Sequence, residues 1–401
     1  MSELQNFRNE IKELLQHVLK EFKKEGALKV VWGATGQVIS ILESAGPLYS
    51  RIIRTLRNKA LAAKKLLSDE EIERILNEFV IQLAYQKPAT VNRTIDRAIE
   101  GLFKKVKEMP VHRQLFLIPV ENADVRTELA VGDTVLVRLS EAIIQKIEKE
   151  NNVSLRTPYE TVEKTVEALT RDNQTLSFIR VTADASDSKK AKELAIQKAD
   201  TLLNVLRLFN PDAPCVVRGE GYAPVLRTTI GANLSFRIPS SIVESESVNS
   251  VTNKLVVNDE LLQKMRDSGL DILNEIMGKN KDELTDLQTR ILTAIFWIGN
   301  AAKDRFRTDK FVKYTIALET LLLTGERNKK ETIARRFISI AYKNNKPSEK
   351  SEALANMAAL YDIRNRIVHD GLDYVEADDL NQLESWTRSL TLILLRYAKK
   401  I

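Results

Sequence analysis

The chain has 401 residues, of which 43% are hydrophobic and 29% are charged, so its composition predicts a globular protein of two or three domains and excludes a disordered or fibrous one. A single cysteine, Cys215, excludes an internal disulfide framework and a multi-cysteine zinc module. The three histidines, His17, His112 and His369, lie far apart without metal-ligand spacing. This argues against a histidine-rich metal centre and leaves only an all-carboxylate metal site open.

The net charge of +6 is unevenly distributed along the chain. Residues 1–110 carry 19 basic and 14 acidic side chains, residues 111–280 carry 21 and 24, and residues 281–401 carry 21 and 17. The two basic ends permit a polyanionic partner, since phosphate contacts depend on lysine and arginine. An excess this small is equally expected of charged, solvated helix faces.

The N-terminal segment bears on where the protein resides. Its first residues are charged and have a helical pattern, unlike a signal peptide. The longest uncharged early run, residues 30–42, is shorter than the roughly 20 apolar residues that a membrane span needs. The sequence therefore predicts a cytoplasmic protein that is not inserted in a membrane.

Residues 1–110 are predicted to be helical almost throughout. Apolar residues in the first 18 positions recur at steps of three and four, as one buried helix face requires. Ser68 and Glu71 have the spacing of a capping box at the start of a helix. Pro47 and Pro88 are each predicted to lie at the start of another helix, because proline is tolerated in a first turn.

A glycine pair in this region, Gly33 and Gly36, resembles part of a nucleotide-binding turn. A G-x-x-G-x-x-G pattern would have its third glycine at position 39, where this chain has Ile39. No convincing strand and helix surround the pair, as a dinucleotide site would require. We interpret the pair as a junction between helices.

Residues 111–245 are predicted to form one α+β domain. Runs of β-branched and aromatic residues predict strands near 111–119, 134–139, 174–182, 215–219, 224–230 and 233–238. A stripe of alanine and leucine predicts a helix over 187–209. The serine-rich segment 240–256 is predicted to be a connection.

Residues 257–401 are predicted to be helical again. The expected helices cover residues 258–268, 280–303, 308–324, 329–344, 347–367 and 376–399. Short connections between the last five favour an antiparallel helical bundle. The predicted fold class is therefore mainly α, with a central α+β domain and a C-terminal bundle.

The segment from Asp362 to Gly371 has a pattern typical of a reactive site at a helix end. Asn365 and His369 are four residues apart and share a helix face, Arg364 precedes Asn365, and Gly371 ends the helix. Arginine binds phosphate as a fork and neutralises charge on a pentavalent transition state, while histidine exchanges protons near neutral pH. These side chains suit RNA cleavage without a metal, because the ribose 2′-hydroxyl supplies the nucleophile.

The sequence Arg364-Asn365-x-x-x-His369 resembles the R-polar-x3-H motif of HEPN-domain ribonucleases. Upstream, residues 313–322 resemble the leading helix of the ApeA-like HEPN branch, with Glu319 at its acidic position. The resemblance therefore implies a HEPN-type helical bundle at the C-terminal end of the chain.

The resemblance does not extend evenly over the chain. It is strongest over about 280–401, and residues 170–240 are less specifically similar to the region that precedes HEPN in that branch. Nothing in residues 1–110 resembles the family. For the N-terminal helices the sequence therefore predicts no specific role. They would sense a trigger, or recruit or restrain the C-terminal domain.

The resemblance implies a metal-independent endoribonuclease without a cofactor, in which two copies of the HEPN domain line one cleft. His369 would act as general base or acid, Arg364 would stabilise the phosphorane, and Asn365 would orient the histidine or the phosphate. Glu319 would either orient Arg364 or be a structural carboxylate. Arg366 would form a salt bridge or contact RNA.

The implied partners are RNA and a second copy of the chain. ApeA-like HEPN proteins are associated with bacterial defence against phage, which implies a toxin-like effector released by a phage-derived or regulatory trigger. One alternative is a non-catalytic HEPN module for dimerisation or RNA binding. Another is a scaffold in which Arg364 and His369 pair with Asp362 or Asp370 as a helix-end network.

Overall fold

The protein is described by a computed structural model that is mainly helical, with a small sheet region. The described residues are 3–20, 27–32, 37–121, 123–138, 177–210, 216–217, 226–229 and 255–399, with the single residues 140, 143, 146 and 149. None of the helices in these ranges is long and apolar enough to cross a membrane.

Contacts between residues group the chain into two compact units. The first combines Met1–Gln114 with Ala183–Leu194, and the second combines Leu115–Thr182 with Ala195–Ile401. The division into 1–110, 111–245 and 257–401 inferred from the sequence stays a prediction.

Four helices account for most of the first unit. They are α1 (Glu3–Gln16), α2 (Gly46–Ala62), α3 (Asp69–Ala84) and α4 (Pro88–Glu108). Their apolar faces share one core, in which the rings of Phe7 and Phe103 lie 4.9 Å apart. Pro47 and Pro88 lie in the first turns of α2 and α4, as predicted.

The prediction of almost continuous helix over 1–110 is wrong between α1 and α2. Strands β1 (Val18–Leu19), β2 (Ala27–Trp32) and β3 (Val38–Leu42) form a sheet in the order β1-β3-β2, with both pairings antiparallel. Valine and isoleucine make up five of the eleven residues of β2 and β3, and β-branched residues fit a pleated strand better than a helix.

This sheet also corrects the interpretation of the glycine pair. Trp32 of β2 pairs with Val38 of β3, so Gly33 and Gly36 lie in the connection between two paired strands and not between helices. Residues 33–36 themselves lie outside the described residues. Two β-branched runs separated by a glycine-containing segment are the usual signal of a hairpin.

The capping box at the start of α3 is confirmed in one half only. The Ser68 side chain accepts a hydrogen bond from the Glu71 backbone N–H at 3.2 Å. The Glu71 carboxylate, however, pairs with Arg74 at 2.6 Å, and the Ser68 backbone N–H donates to Asp187 Oδ2 at 2.7 Å. Asp187, which is distant in sequence, thus accepts the hydrogen bond from the Ser68 N–H that Glu71 would accept in a complete capping box.

Within the described ranges, eight strands follow α4. They are β4 (His112–Glu121), β5 (Ala123–Val125), β6 (Leu129–Val131), β7 (Thr134–Arg138), β8 (Ser177–Ala185), β9 (Val216–Val217), β10 (Leu226–Thr229) and β11 (Leu255–Val257). One sheet has the order β10-β4-β8-β7-β6, with β9 paired to β4, and β11 pairs with β5 in parallel.

The predicted strands at 111–119, 134–139, 174–182, 215–219 and 224–230 are confirmed by β4, β7, β8, β9 and β10. The helix predicted over 187–209 is confirmed as α5 (Ser188–Phe209). The strand predicted near 233–238 lies outside the described residues. Strand β11 lies at the end of the segment predicted to be a connection, because three apolar residues there pair with a distant strand.

Seven helices complete the described chain. They are α6 (Asp259–Ser268), α7 (Leu270–Met277), α8 (Asp286–Lys303), α9 (Arg307–Leu322), α10 (Lys329–Ala341), α11 (Pro347–Asp370) and α12 (Ala377–Ala398). Helices α8 to α12 pack as neighbours around buried side chains that include Phe311, Tyr314 and Phe337. The predicted series of helices is confirmed, with one helix added.

Two glycines set helix boundaries here. Helix α7 was not predicted, and it begins where Gly269 adopts a left-handed φ of 117° and ends α6. Gly371 ends α11 in the same way with a φ of 70°, as predicted, and the helix extends three residues beyond the predicted range 347–367. A left-handed conformation costs glycine least, since it has no Cβ.

Candidate functional site

Helices α9 and α11 bring Glu319 and Arg364 together. Glu319 lies in the last turn of α9 and Arg364 lies in the second half of α11. Arg364 Nη2 is 3.3 Å from Glu319 Oε1, and the two side chains are 17% and 16% exposed. The contact agrees with the role in which Glu319 orients Arg364 across the bundle.

Tyr361 is a member of the site that the sequence did not reveal. Its hydroxyl donates to Glu319 Oε1 at 2.9 Å, and its ring centroid lies 5.6 Å from Arg364 Cζ. Burial, reinforced by the Glu319 carboxylate, raises the pKa of Tyr361 to about 12, so the hydroxyl remains a donor at neutral pH. The available signal was spacing, because residues three apart on a helix are neighbours.

Lys329 supplies the third donor to the same carboxylate. Its Nζ lies 3.2 Å from Glu319 Oε2, and its side chain is 48% exposed. Glu319 is therefore contacted by one hydroxyl and two cations, and the cluster has an excess of one positive charge. Such an excess favours an anion at this surface.

Asn365 contacts the second terminal nitrogen of the Arg364 guanidinium. Arg364 Nη1 donates to Asn365 Oδ1 at 3.3 Å. Among the described residues, the buried Arg364 Nε has no hydrogen-bond partner. Since a guanidinium has five N–H donors, the contacts with Glu319 and Asn365 orient Arg364 without occupying all of its donors.

His369 lies at the end of α11, five residues or about 7.5 Å along the helix axis from Arg364. Its side chain is exposed, and in the part of the chain that the structure describes it has no hydrogen-bond or ion-pair partner. The structure thus brings Arg364, Asn365 and Glu319 together and leaves His369 separate. Arg366 is likewise exposed, with no ion-pair partner in the described ranges.

The helix-end network of the scaffold alternative is not found within the described residues. Asp362 pairs with Lys330 at 2.5 Å, and Arg364 pairs with Glu319 instead. Nor do the described residues contain a group of three or more histidine, cysteine, aspartate or glutamate side chains that could hold a metal ion.

Comparisons with protein-family models, with curated proteins and with solved structures find no significant match to this chain. The similarity to HEPN ribonucleases therefore stays a prediction. It depends on Arg364, Asn365, His369 and the segment around Glu319.

Proposed function

We propose that the protein is a metal-independent endoribonuclease in which Arg364 and His369 act on one phosphodiester bond. The observation that supports this proposal is a contrast on one helix. Arg364 is oriented by Glu319, Tyr361 and Asn365, while His369 is exposed beyond it. A fixed cation and an imidazole free to exchange protons both accelerate cleavage by the 2′-hydroxyl.

In the proposed reaction, His369 accepts the proton of the 2′-hydroxyl, and that oxygen attacks the adjacent phosphorus. The bond from phosphorus to the 5′-oxygen breaks, and the 5′-oxygen takes up a proton. The products are a 2′,3′-cyclic phosphate and a 5′-hydroxyl end, so the step consumes no water. Arg364 stabilises the phosphorane charge, and Asn365 keeps the guanidinium in position.

A homodimer is part of the proposal. A second copy would place another imidazole and guanidinium in the cleft, and one imidazole would return the proton to the 5′-oxygen. Val368 and Tyr374 are exposed apolar side chains on either side of His369 in the sequence. A second copy packed there would remove them from water.

The wider role follows from the HEPN resemblance alone. We place the protein in the bacterial cytoplasm, as a toxin-like effector of defence against phage. Residues 1–110 and 111–245 would sense a phage-derived or regulatory trigger and recruit or restrain the nuclease.

The test is cleavage of RNA by purified protein in excess EDTA, with His369→Ala beside the wild type. We expect a loss of activity on the order of 10²–10⁴-fold, with cyclic-phosphate or 3′-phosphate ends in the wild-type products. His112→Ala is the matched control, because His112 is also exposed and lies at the start of β4.

Two outcomes would contradict the proposal. Equal cleavage by the wild type and His369→Ala would remove His369 from the reaction. RNA binding without cleavage, together with expression toxicity that does not depend on His369, would favour the non-catalytic HEPN module.

A further inference from the structure

A groove on the surface of the second unit lies between helix α10 and the first half of α11. It encloses about 320 Å³. It is lined by Arg335, Ile338, Ser339, Lys343, Lys350 and Leu354. The groove therefore combines three cations with two aliphatic side chains.

The cations of the groove are not neutralised by neighbouring carboxylates. Within the described residues, the Arg335 and Lys343 side chains have no ion-pair or hydrogen-bond partner. Lys350 Nζ donates to the Lys343 backbone carbonyl at 2.8 Å and to no carboxylate in these ranges. All three charges are available to an anion.

The surrounding segment is strongly basic. Residues 327–350 hold eight basic and two acidic side chains. Three other cations of this segment are engaged, since Lys329 pairs with Glu319, Lys330 pairs with Asp362 and Arg336 pairs with Glu326. Of the five cations in this segment that have no carboxylate partner among the described residues, three line the groove.

We propose that this groove binds backbone phosphates of a single-stranded RNA at a distance from the bond that is cleaved. The identity of the strand rests on the proposed function. Lys350 lies in the first turn of α11 and Arg364 lies 14 residues later, so the two sites are separated by about 21 Å along one helix. One strand of several nucleotides can contact both.

The chemistry of the lining favours a nucleic acid strand. Arginine forks and lysine ammonium groups bind phosphate, and Ile338 and Leu354 give a base or ribose an apolar surface. The groove has no aromatic ring among its lining residues, so strong base selectivity is not expected here.

The first measurement is fluorescence anisotropy with a labelled single-stranded RNA of about 20 nucleotides, a length that spans both sites. The full chain carries His369→Ala, so that the RNA stays intact. We expect Arg335→Gln/Lys343→Gln to make the slope of log K against log salt concentration shallower by about 1.4, because each phosphate contact on a single strand contributes about 0.7.

Arg266→Gln/Lys281→Gln is the matched control. It removes the same charge from two exposed positions of the same unit, in α6 and in the 3₁₀ turn Lys281–Glu283. An equal change in both double variants would overturn the groove as a site, since it would report only the net charge.

Cleavage assays distinguish the proposed RNA-binding groove from the proposed nuclease activity. With His369 restored, the groove variant should raise KM for the long RNA without changing kcat, and should leave cleavage of a dinucleotide unchanged. RNA binding that depends on the groove, in a protein that cleaves nothing, would support the groove and contradict the nuclease. Unchanged binding, or equal competition by a polyglutamate peptide, would overturn the groove as an RNA site.

Discussion

The C-terminal helices contain two clusters that each combine an arginine, a glutamate and a tyrosine. The clusters differ in how many of the arginine N–H donors have an acceptor in the protein. In the first, Arg388 is contacted by Glu384 and by Tyr314. Its Nη1 also donates to two backbone carbonyls at the end of α5, and its side chain is 8% exposed. In the second, Arg364 forms an ion pair with Glu319, donates a hydrogen bond to Asn365 and has one buried N–H without an acceptor among the described residues.

The difference separates an arginine whose donors are satisfied by the protein from one whose donors are satisfied only in part. Arg388 satisfies carbonyls that the last turn of a helix leaves without internal partners. Arg364 is held in orientation by a carboxylate that has two other donors, Tyr361 and Lys329. Glu319 therefore does not depend on Arg364, and the proposed function assigns the remaining Arg364 donors to a phosphate.

The largest expected effect comes from removing each arginine in turn. Arg388→Ala should lower the free energy of unfolding by about 3 kcal/mol, because it leaves buried polar groups unpaired. Arg364→Ala should lower it by only about 1 kcal/mol, because the pair with Glu319 is partly exposed and Glu319 keeps two donors. Urea unfolding followed by circular dichroism measures both, and equal losses would make Arg364 a structural residue.

An intermediate effect is expected for Tyr361→Phe, which keeps the ring beside Arg364 and removes the hydrogen bond to Glu319. We expect RNA cleavage to fall by roughly 3- to 10-fold and the free energy of unfolding to fall by about 1 kcal/mol. Tyr314→Phe is the matched control, because it loosens the Arg388 cluster and should leave the specific activity of the folded protein unchanged. Equal activity in both variants would remove Tyr361 from the orientation of Arg364.

The pH dependence of stability provides a second readout of Tyr361→Phe. An unfolded tyrosine ionises near pH 10, whereas the raised pKa of about 12 keeps Tyr361 protonated in the folded protein. Between about pH 10 and pH 12 the unfolded state binds fewer protons, so this tyrosine makes stability decrease as pH rises. The decrease should be shallower in Tyr361→Phe, and an identical pH profile would contradict the assigned burial.

The smallest effect is expected for Lys329→Gln. Its ion pair with Glu319 involves an ammonium that is about half exposed, and such pairs contribute about 0.2–1 kcal/mol. The free energy of unfolding should change within that range, and the change should shrink at high salt. A loss of cleavage as large as that of Arg364→Ala would instead make Lys329 part of the phosphate-binding surface.

Much of the fold could be predicted because its signals are local. Ser68, Pro88 and Gly371 mark helix ends through the conformation of a few neighbouring residues. Periodicity located the helices of the C-terminal bundle for the same reason. It failed between α1 and α2, where short β-branched runs become strands only by pairing with each other.

From the sequence, the candidate site could be predicted only as a set of residue types and not as a set of contacts. Spacing and resemblance named Arg364, Asn365 and His369, since a motif of six residues on one helix can be recognised without tertiary structure, and the resemblance added Glu319. The contact between Arg364 and Glu319, the hydroxyl of Tyr361 and the absence of a partner for His369 among the described residues were decided by how α9 packs against α11.

By itself the sequence therefore determined most of the helical segments and the residue types of the candidate site. The tertiary structure decided which of two similar arginines has its donors satisfied by the protein and which cations face a groove without carboxylates. The physical reason is that caps and periodicity act between neighbours in the chain, whereas ion pairs and burial arise between residues that only packing brings together.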